Sequence, residues 1–358
     1  MKNNDETFNP SDDDIVKMLN RFSKGEATPL DILYLANFIG LEGLGIENYA
    51  VKGSEEYCDM HNHSTHSDGL LTPIEILYIS KLLGLNRVVI ADHDCVDAYL
   101  DPEVKQVAEE LGIELMPSCE FVAAFEDVGI EILGYGIDPV KAKEYLDKNG
   151  ITQNTLERYR SDMIPKVFAN LGIKLDYDPS KIDFSLKDPR VLHTIYPIIL
   201  KNPEAVKLME EENPELLKGT SQFLRAGLNN PNSKFFIEPN SFYPQYNKIV
   251  KVIHDLGGVA ILAHPYQYKA EMHRVLEGVK DSVDGIECIH PSSREPEKTQ
   301  TLLDFCEKNN LLVTGGSDSH NLDPNSDKGM FNGLRVPAKY YDLIKDAIKA
   351  RQNINQPM

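Results

Sequence analysis

The sequence predicts an α/β fold built on a parallel sheet, closed into a barrel or left open, and three observations carry that reading. Short apolar runs suited to buried strands alternate with amphipathic stretches at helical spacing. Several of those helical stretches have readable ends, with Thr72-Pro73 as an N-cap and first helical proline and Gly84, Gly112 and Gly257 as stops. Finally, each apolar run carries a metal-competent side chain within it or within a few residues of its C-terminal end. In parallel α/β folds those strand ends share one face.

Taken in order, residues 1–15 are polar and acidic and are expected to fray. From Asp12 to about Leu44, Ile15, Met18, Leu19 and Phe22, then Leu30, Ile32, Leu33, Leu35, Ala36 and Ile39, recur at helical spacing, so two short helices docked on the main body are expected. The strand candidates follow: Tyr57–His61, Arg87–Asp92, Ile113–Pro117, Gly129–Leu133, Val259–His264, Gly285–Ile289 and Leu311–Thr314. Between the fourth and fifth, Lys, Glu, Asn and Pro become common and strand-like runs scarce, while Thr155–Leu171 and Ala205–Leu217 are spaced as helices. The organisation is therefore an N-terminal helical extension (1–56), a first core part (57–137), a mainly helical insertion (138–248) and a second core part (249–358).

Composition narrows the function classes. The 358 residues are 41% hydrophobic, ordinary for a globular chain. Fifty-six acids against 37 bases give a formal charge of −19, which disfavours binding of extended duplex nucleic acid but leaves room for a phosphate held locally by metal ions. No stretch reaches the roughly 18 consecutive apolar residues of a membrane span, and the start lacks a basic-then-apolar signal pattern, so no membrane association and a cytoplasmic location are expected. Five cysteines without CxxC spacing argue against a disulfide framework or a thiolate zinc site.

The chemistry concentrates at the ends of the apolar runs. The first leads into His61-Asn62-His63 and then Asp68, the second into Asp92-His93-Asp94, and the third into Glu120. Glu131 lies within the fourth, His264 closes the fifth, Glu287 lies within the sixth with His290 at its end, and Asp318-Ser319-His320 follows the seventh. Singly, each is an ordinary cap, turn or core residue. Together, at equivalent places in the rhythm, they predict a multinuclear metal site. Alternate residues share a face of a strand, so His61 with His63, and Asp318 with His320, can point into one cavity. Imidazole and carboxylate donors suit zinc, manganese or iron(II). Cys119 and Cys288 adjoin Glu120 and Glu287 and so face away from them in an extended chain. Among the other histidines, His66, His254 and His273 fall outside the pattern.

The order HNHSTHSDG, ADHD, a Glu after the third run, ILGYGID, AHP and GGSDSH resembles the PHP (polymerase and histidinol phosphatase) superfamily, and within it the stand-alone metal-dependent phosphoesterases with a helical insertion. The likeness spans residues 57–336. It implies a distorted seven-stranded (β/α)7 barrel with two or three divalent ions (Mn²⁺, Fe²⁺ or Zn²⁺) at the strand C-termini. Carried over by motif, one ion is held by His61, His63, Glu120 and Asp318, and a second by Asp68, His93 and His320. A third lies between bridging Glu120, His264 and Glu131, where the family usually has His; the carboxylate favours a harder ion such as Mn²⁺ or alters occupancy. Arg190-Val191-Leu192-His193 is similar to the family's Arg-Pro-His segment without its proline, which implies that Arg190 orients a phosphate and His193 contacts it or protonates a leaving oxygen. His290 is a weaker candidate for the same substrate contact.

The expected activity is hydrolysis of a phosphoester by hydroxide generated at the metals, with no serine or cysteine nucleophile. The substrate is expected to be a small phosphorylated metabolite, a nucleotide such as a nucleoside 3′,5′-bisphosphate, or an oligonucleotide 5′ end. Two alternatives are a metal-dependent amide or ester hydrolase, which shares such a ligand set, and a non-catalytic metal-binding regulatory domain. Oligomeric state is not legible from the sequence.

Overall fold

The computed structural model describes residues 10–24, 27–28, 31–32, 34–36, 38, 57–149, 153–184, 191–237, 242–322 and 336–354. Helix α1 (Asp12–Ser23) begins at Ser11, which forms a capping box with Asp14, and the acids Asp12, Asp13 and Asp14 complement the positive end of the helix. Its buried face, Ile15, Met18 and Phe22, joins one apolar cluster with Ile32, Leu35 and Ala36 and with Ile76, Leu77 and Ile79 of α2 (Pro73–Leu82). Residues 31–32, 34–36 and 38 are helical. The remainder of the second expected helix lies outside the described residues. Asp31 ties the two segments by accepting from Arg21 Nε at 2.8 Å.

The chain then alternates strand and helix. Strand β1 (Tyr57–Cys58) precedes α2, which opens on the expected Thr72-Pro73 cap with Glu75 completing the capping box. Strand β2 (Arg87–Val88), short helix α3 (Asp97–Leu100), α4 (Pro102–Leu111) and β3 (Glu114–Leu115) follow. Gly112 ends α4 at φ 64°, a left-handed conformation that glycine adopts without penalty. Strands β4 (Ser118–Phe125) and β5 (Val128–Tyr135), the latter followed by helix α5 (Pro139–Asn149), are adjacent in a five-stranded sheet with β6 (Val259–Leu262), β7 (Gly285–Ile289) and β8 (Leu312–Gly315).

The parallel expectation needs two corrections. β5 pairs antiparallel with β6, and β1 pairs antiparallel with β9 (Val336–Pro337). For β5 the reason is local: only Glu126 and Asp127 separate it from β4, and a link that short reverses the chain, whereas a parallel neighbour needs a long crossover. Strand β4 itself was not among the expected runs, so Glu120 lies inside a strand rather than after one. The pairs β2–β3, β6–β7 and β7–β8 are parallel as expected.

Short bridges join these pieces. Val89 N–H donates to Asp59 O at 2.9 Å, Met60 N–H to Gly315 O at 3.3 Å, and Asp94 N–H to Glu120 O at 2.9 Å. They link β1 to β2, β1 to β8, and the segment after β2 to β4. Beneath them Met60, Val89, Leu133, Tyr135, Ile261 and Ile344 form a buried core. Among the described residues no helix is long and apolar enough to cross a membrane.

The chain divides into two compact units. One comprises residues 1–121, 131–147 and 247–358; the other comprises 122–130 and 148–246. The second has its own apolar core of Ile164, Phe168, Ile195, Met209, Phe223 and Phe235, built from α6 (Gln153–Asn170), α7 (Val191–Leu200), α8 (Pro203–Glu212) and a π-helical turn at Phe223–Leu228.

Candidate metal centre

Each candidate ligand of the first unit leaves a strand, or the loop just beyond one, toward the same point. His61 and His63 extend β1 and share a face. Between them Asn62 turns the other way, donating from Nδ2 to Val89 O at 3.1 Å and accepting from Ser319 Oγ at 2.8 Å. Glu120 comes from β4, Glu131 from β5, and His264 from just past β6. Asp318 and His320 follow β8.

Glu120 is the centre. It is fully buried, with Oε2 3.2 Å from His61 Nε2, His63 Nε2 and His93 Nδ1, and Oε1 2.9 Å from His264 Nε2. Asp318 Oδ1 lies 3.2 Å from His63 Nε2 and 3.7 Å from His61 Nε2. Asp68 Oδ1 lies 3.2 Å from His320 Nε2 and 3.7 Å from His93 Nε2. Glu131 Oε2 is 3.3 Å from His264 Nε2 and its Oε1 3.7 Å from His93 Nδ1. The donors form four overlapping groups: His63, Asp68, His93 and His320; His61, Glu120 and His264; His61, His63 and Asp318; and His93, Glu120 and Glu131. Within each group the ligand atoms lie within 4.8 Å of one another. All nine expected ligands are thus brought together, but in sets that differ from the expected ones: His63 also falls with the Asp68 group, Glu120 groups with His61 and His264 rather than with Asp318, and Glu131 groups with His93 rather than with His264. Asp68, Glu131 and His93 are the partly exposed members and mark the open side.

The donor set fits divalent cations by its unmet valences as well as its composition. His61 Nδ1–H donates to Glu287 Oε1 at 2.9 Å, and His320 Nδ1–H donates to the backbone oxygen of Asp318 at 2.8 Å. In the neutral ring each therefore turns an Nε2 lone pair inward, available to a cation that displaces the second proton. His61 Nε2 meets His63 Nε2 at only 3.1 Å. Among the described residues, the buried atoms His63 Nδ1, His93 Nδ1, His264 Nδ1 and Glu120 Oε2 make no hydrogen bond, although buried polar atoms ordinarily do. A cation would satisfy those of these atoms that face the cluster; His264 meets the cluster through Nε2 instead.

The electrostatics describe the same need. Burial favours neutral His61, but the carboxylates of Glu287 and Glu120 outweigh it and hold the ring well above its ordinary pKa. Against burial, Asp318 and Glu120 raise His63 to about 10, and Glu120 raises His264 to about 9. Burial would raise Glu120, yet the charges of His61 and His93 hold it well below the usual carboxylate range. Burial and repulsion from His63 lower His320. Protons on imidazoles thus neutralise carboxylates, a role that metal ions take over by displacing them.

Two candidate ligands occupy strained backbone, with φ 26° at His264 and φ 50° at Asp318, conformations that L-residues rarely hold outside functional sites. Gly316 is required by close approach: a Cβ there would stand 2.3 Å from His61 Cβ and 2.4 Å from His61 N. Gly316→Ala is therefore expected to displace His61 and lower activity about 100-fold, the cost of a misplacement near 1 Å. Elemental analysis should show reduced metal content, and an unchanged ion count would refute the contact argument.

Three buried carboxylates hold the frame. Asp59 accepts from Ser317 N (2.9 Å), Ser317 Oγ (2.6 Å) and His61 N (3.2 Å). Asp92 accepts from Ser64 N (2.7 Å), Ser64 Oγ (2.6 Å) and Ser67 Oγ (2.5 Å), pinning the loop from His63 to Asp68. Glu287, besides holding His61, accepts from His264 N at 2.8 Å through its other oxygen. Spacing alone does not separate such frame residues from ligands, since Asp92 and Glu287 sit in the same rhythm. His290 is buried beside Asp318. His193 is exposed at the start of α7 in the second unit, and Arg190 lies outside the described residues. Cys119 and Cys288 are buried free thiols, Cys288 Sγ lying 3.5 Å from Cys306 Sγ, and no thiol enters the ligand groups among the described residues.

No family model matches the chain. Among curated proteins it is 27% identical over 267 residues to a 5′-3′ exoribonuclease of Haemophilus influenzae, covering 73% of this chain and 89% of that one. It is 25% identical over 295 residues to a phosphoribosyl 1,2-cyclic phosphate 1,2-diphosphodiesterase of Eggerthella lenta, covering 78% and 99%. Among solved structures, a protein assigned as a metal-dependent phosphoesterase from Bifidobacterium adolescentis shares the fold at TM-score 0.55 and 22% identity, over 82% of this chain and 96% of that one. An amidohydrolase from Chromobacterium violaceum shares it at TM-score 0.53 and 20% identity, over 74% and 87%. The chain thus shares its fold with structures of a metal-dependent phosphoesterase and an amidohydrolase, and its curated relatives are phosphodiester-cleaving hydrolases, in keeping with the resemblance of its ordered motifs to the PHP superfamily.

Proposed function

We propose that the chain hydrolyses a phosphoester in a small phosphorylated metabolite, in a nucleotide such as a nucleoside 3′,5′-bisphosphate, or at the 5′ end of a short oligonucleotide. The observation that carries the reading is the convergence of nine imidazole and carboxylate donors, Glu120 among them, in four overlapping groups, with buried ring nitrogens and a Glu120 oxygen left without a hydrogen bond. Two or three divalent ions, Mn²⁺, Fe²⁺ or Zn²⁺, fit these oxygen and nitrogen donors. When bound, such ions lower the pKa of water toward neutrality and offset charge on phosphoryl oxygens.

The chain's own residues supply the rest. Glu120 and its imidazoles hold the ions, and Asp59, Asp92 and Glu287 fix the ligand directions. Glu131, on the open side, adds a carboxylate and so selects a harder ion. Arg190 offers a two-pronged donor for phosphate, and His193 is assigned as proton source for the leaving oxygen. Both belong to the insertion, whose role in this reading is to select the leaving group. The formal charge of −19 favours small substrates over extended duplexes. The relatives named for an RNA end and for a cyclic phosphate support the same range. A seven-stranded closed barrel, four sequence segments divided near residues 56, 137 and 248, and a cytoplasmic location are the finer readings that accompany it.

The test pairs elemental analysis of the purified protein with a panel of nitrophenyl phosphate, a phosphodiester, a nucleoside 3′,5′-bisphosphate, 5′-phosphorylated oligonucleotides and amide and ester substrates. Two or three ions per chain and turnover confined to phosphoesters are expected. Turnover of amides or carboxylic esters alone would transfer the assignment to carbon-centred hydrolysis. Bound ions without any turnover would make the domain a binding module.

A further inference from the structure

His290 differs from the imidazoles around it in which nitrogen carries the hydrogen. Its Nδ1 accepts the backbone N–H of Ser292 at 3.0 Å, an arrangement that makes His290 the N-cap of the turn Pro291–Ser293. A main-chain amide only donates, so Nδ1 holds a lone pair and the ring hydrogen sits on Nε2; Ser292 Oγ stands 2.8 Å from the same Nδ1. His61 and His320 are fixed the opposite way, each donating from Nδ1 and turning an Nε2 lone pair inward. His290 therefore presents an N–H where those two present a lone pair, and cannot ligate through Nε2.

That N–H has an acceptor. His290 Nε2 lies 3.3 Å from Asp318 Oδ2, and Gln267 Nε2 approaches the same oxygen at 3.3 Å. The other oxygen, Oδ1, faces His63 Nε2 and His61 Nε2 at 3.2 and 3.7 Å. The carboxylate is thus divided, with one oxygen toward the ligand cluster and the other toward two N–H donors. Asp318 holds this orientation from a strained backbone, which gives the donors something to secure.

We propose that His290 is a positioning residue: locked by Ser292 as an Nε2–H donor, it anchors Asp318 Oδ2 together with Gln267 and so keeps Oδ1 aimed at the ion shared with His61 and His63. This rests on the metal-centre reading above, and it replaces direct contact of His290 with substrate.

The experiment is Mn²⁺ binding by equilibrium dialysis, with KM and kcat for nitrophenyl phosphate at saturating Mn²⁺, for the wild type and for His290→Ala, His290→Gln, Gln267→Ala and the His290→Ala/Gln267→Ala double variant. Removing an outer partner of a metal ligand typically weakens metal binding by about 10–100-fold. His290→Ala should lose affinity on that scale, His290→Gln should recover most of it through its amide N–H, and the double variant should be weaker than either single one. Gln267 is exposed, so its replacement reports on Asp318 without disturbing the core. His290→Gln binding Mn²⁺ as weakly as His290→Ala would overturn the proposal by requiring an imidazole-specific role, including ligation. Unchanged Mn²⁺ affinity with a raised KM would overturn it in favour of substrate contact. A wild-type protein that binds no Mn²⁺, Fe²⁺ or Zn²⁺ would instead refute the metal centre itself, and with it this role.

Discussion

Glu120→Gln is expected to lower phosphoester turnover by about 1,000-fold or more, a loss near 4 kcal/mol of transition-state stabilisation. Four ring nitrogens lie within 3.2 Å of its carboxylate: His61, His63 and His93 converge on one oxygen and His264 on the other. The amide keeps the shape but removes the charge and offers two hydrogens where inward lone pairs need a cation. A buried charge network that loses its central anion also leaves the imidazoles uncompensated, so bound metal should fall with activity. Turnover and elemental analysis on one preparation, with far-UV circular dichroism as the check on folding, decide the matter. Wild-type turnover at the wild-type ion count would remove Glu120 from the centre.

Stripping the ions with a chelator is expected to lower the midpoint of thermal unfolding, and the deficit should widen as pH rises. In metal-free protein the folded-state pKa values of His63 and His264 are raised to about 10 and about 9. A raised value means that the folded state binds more protons than the unfolded chain, so this stabilisation is complete below an unfolded pKa of about 6.5 and disappears as pH climbs through 9 and 10. Glu120, held below its ordinary range, contributes in the opposite sense, and its share is lost only as acid protonates it. Metal binding displaces the imidazole protons, so it tightens as pH rises. With an ion at about 100 times its Kd, each site adds about 2.7 kcal/mol. Differential scanning calorimetry of loaded and stripped protein between pH 6.5 and 9.5 measures the gap. A gap that is constant or narrows with rising pH would contradict this exchange of protons for cations.

Much of the centre was legible because its chemistry is written at strand ends. His-x-His and Asp-x-His are spaced for strand alternation, and the nine candidate donors lie close together in the structure. The helix at Thr72-Pro73 and its stop near Gly84 follow from local rules of capping and left-handed turns. Other features were not legible. A two-residue link at Glu126-Asp127 decides the direction of β5, yet the stretch from Ser118 does not stand out in the sequence as an apolar run of its own, so the hairpin is not legible there. Glu287 sits in the same rhythm as the ligands but turns its carboxylate to His61 Nδ1 and the His264 amide. Nothing in the order of residues separates the group that holds a metal from the group that holds its holder.

By itself, then, the sequence determined the residue types, their order and their strand-end placement, and with these the nitrogen and oxygen donor set of the centre. Tertiary structure decided which donors come within reach of one another, which nitrogen each imidazole turns inward, and that Asp59, Asp92 and Glu287 serve as frame. The physical reason is that periodicity assigns a side chain to a face, whereas ligation and hydrogen bonding depend on distances of a few ångström between strands far apart in the chain, set by sheet register and packing.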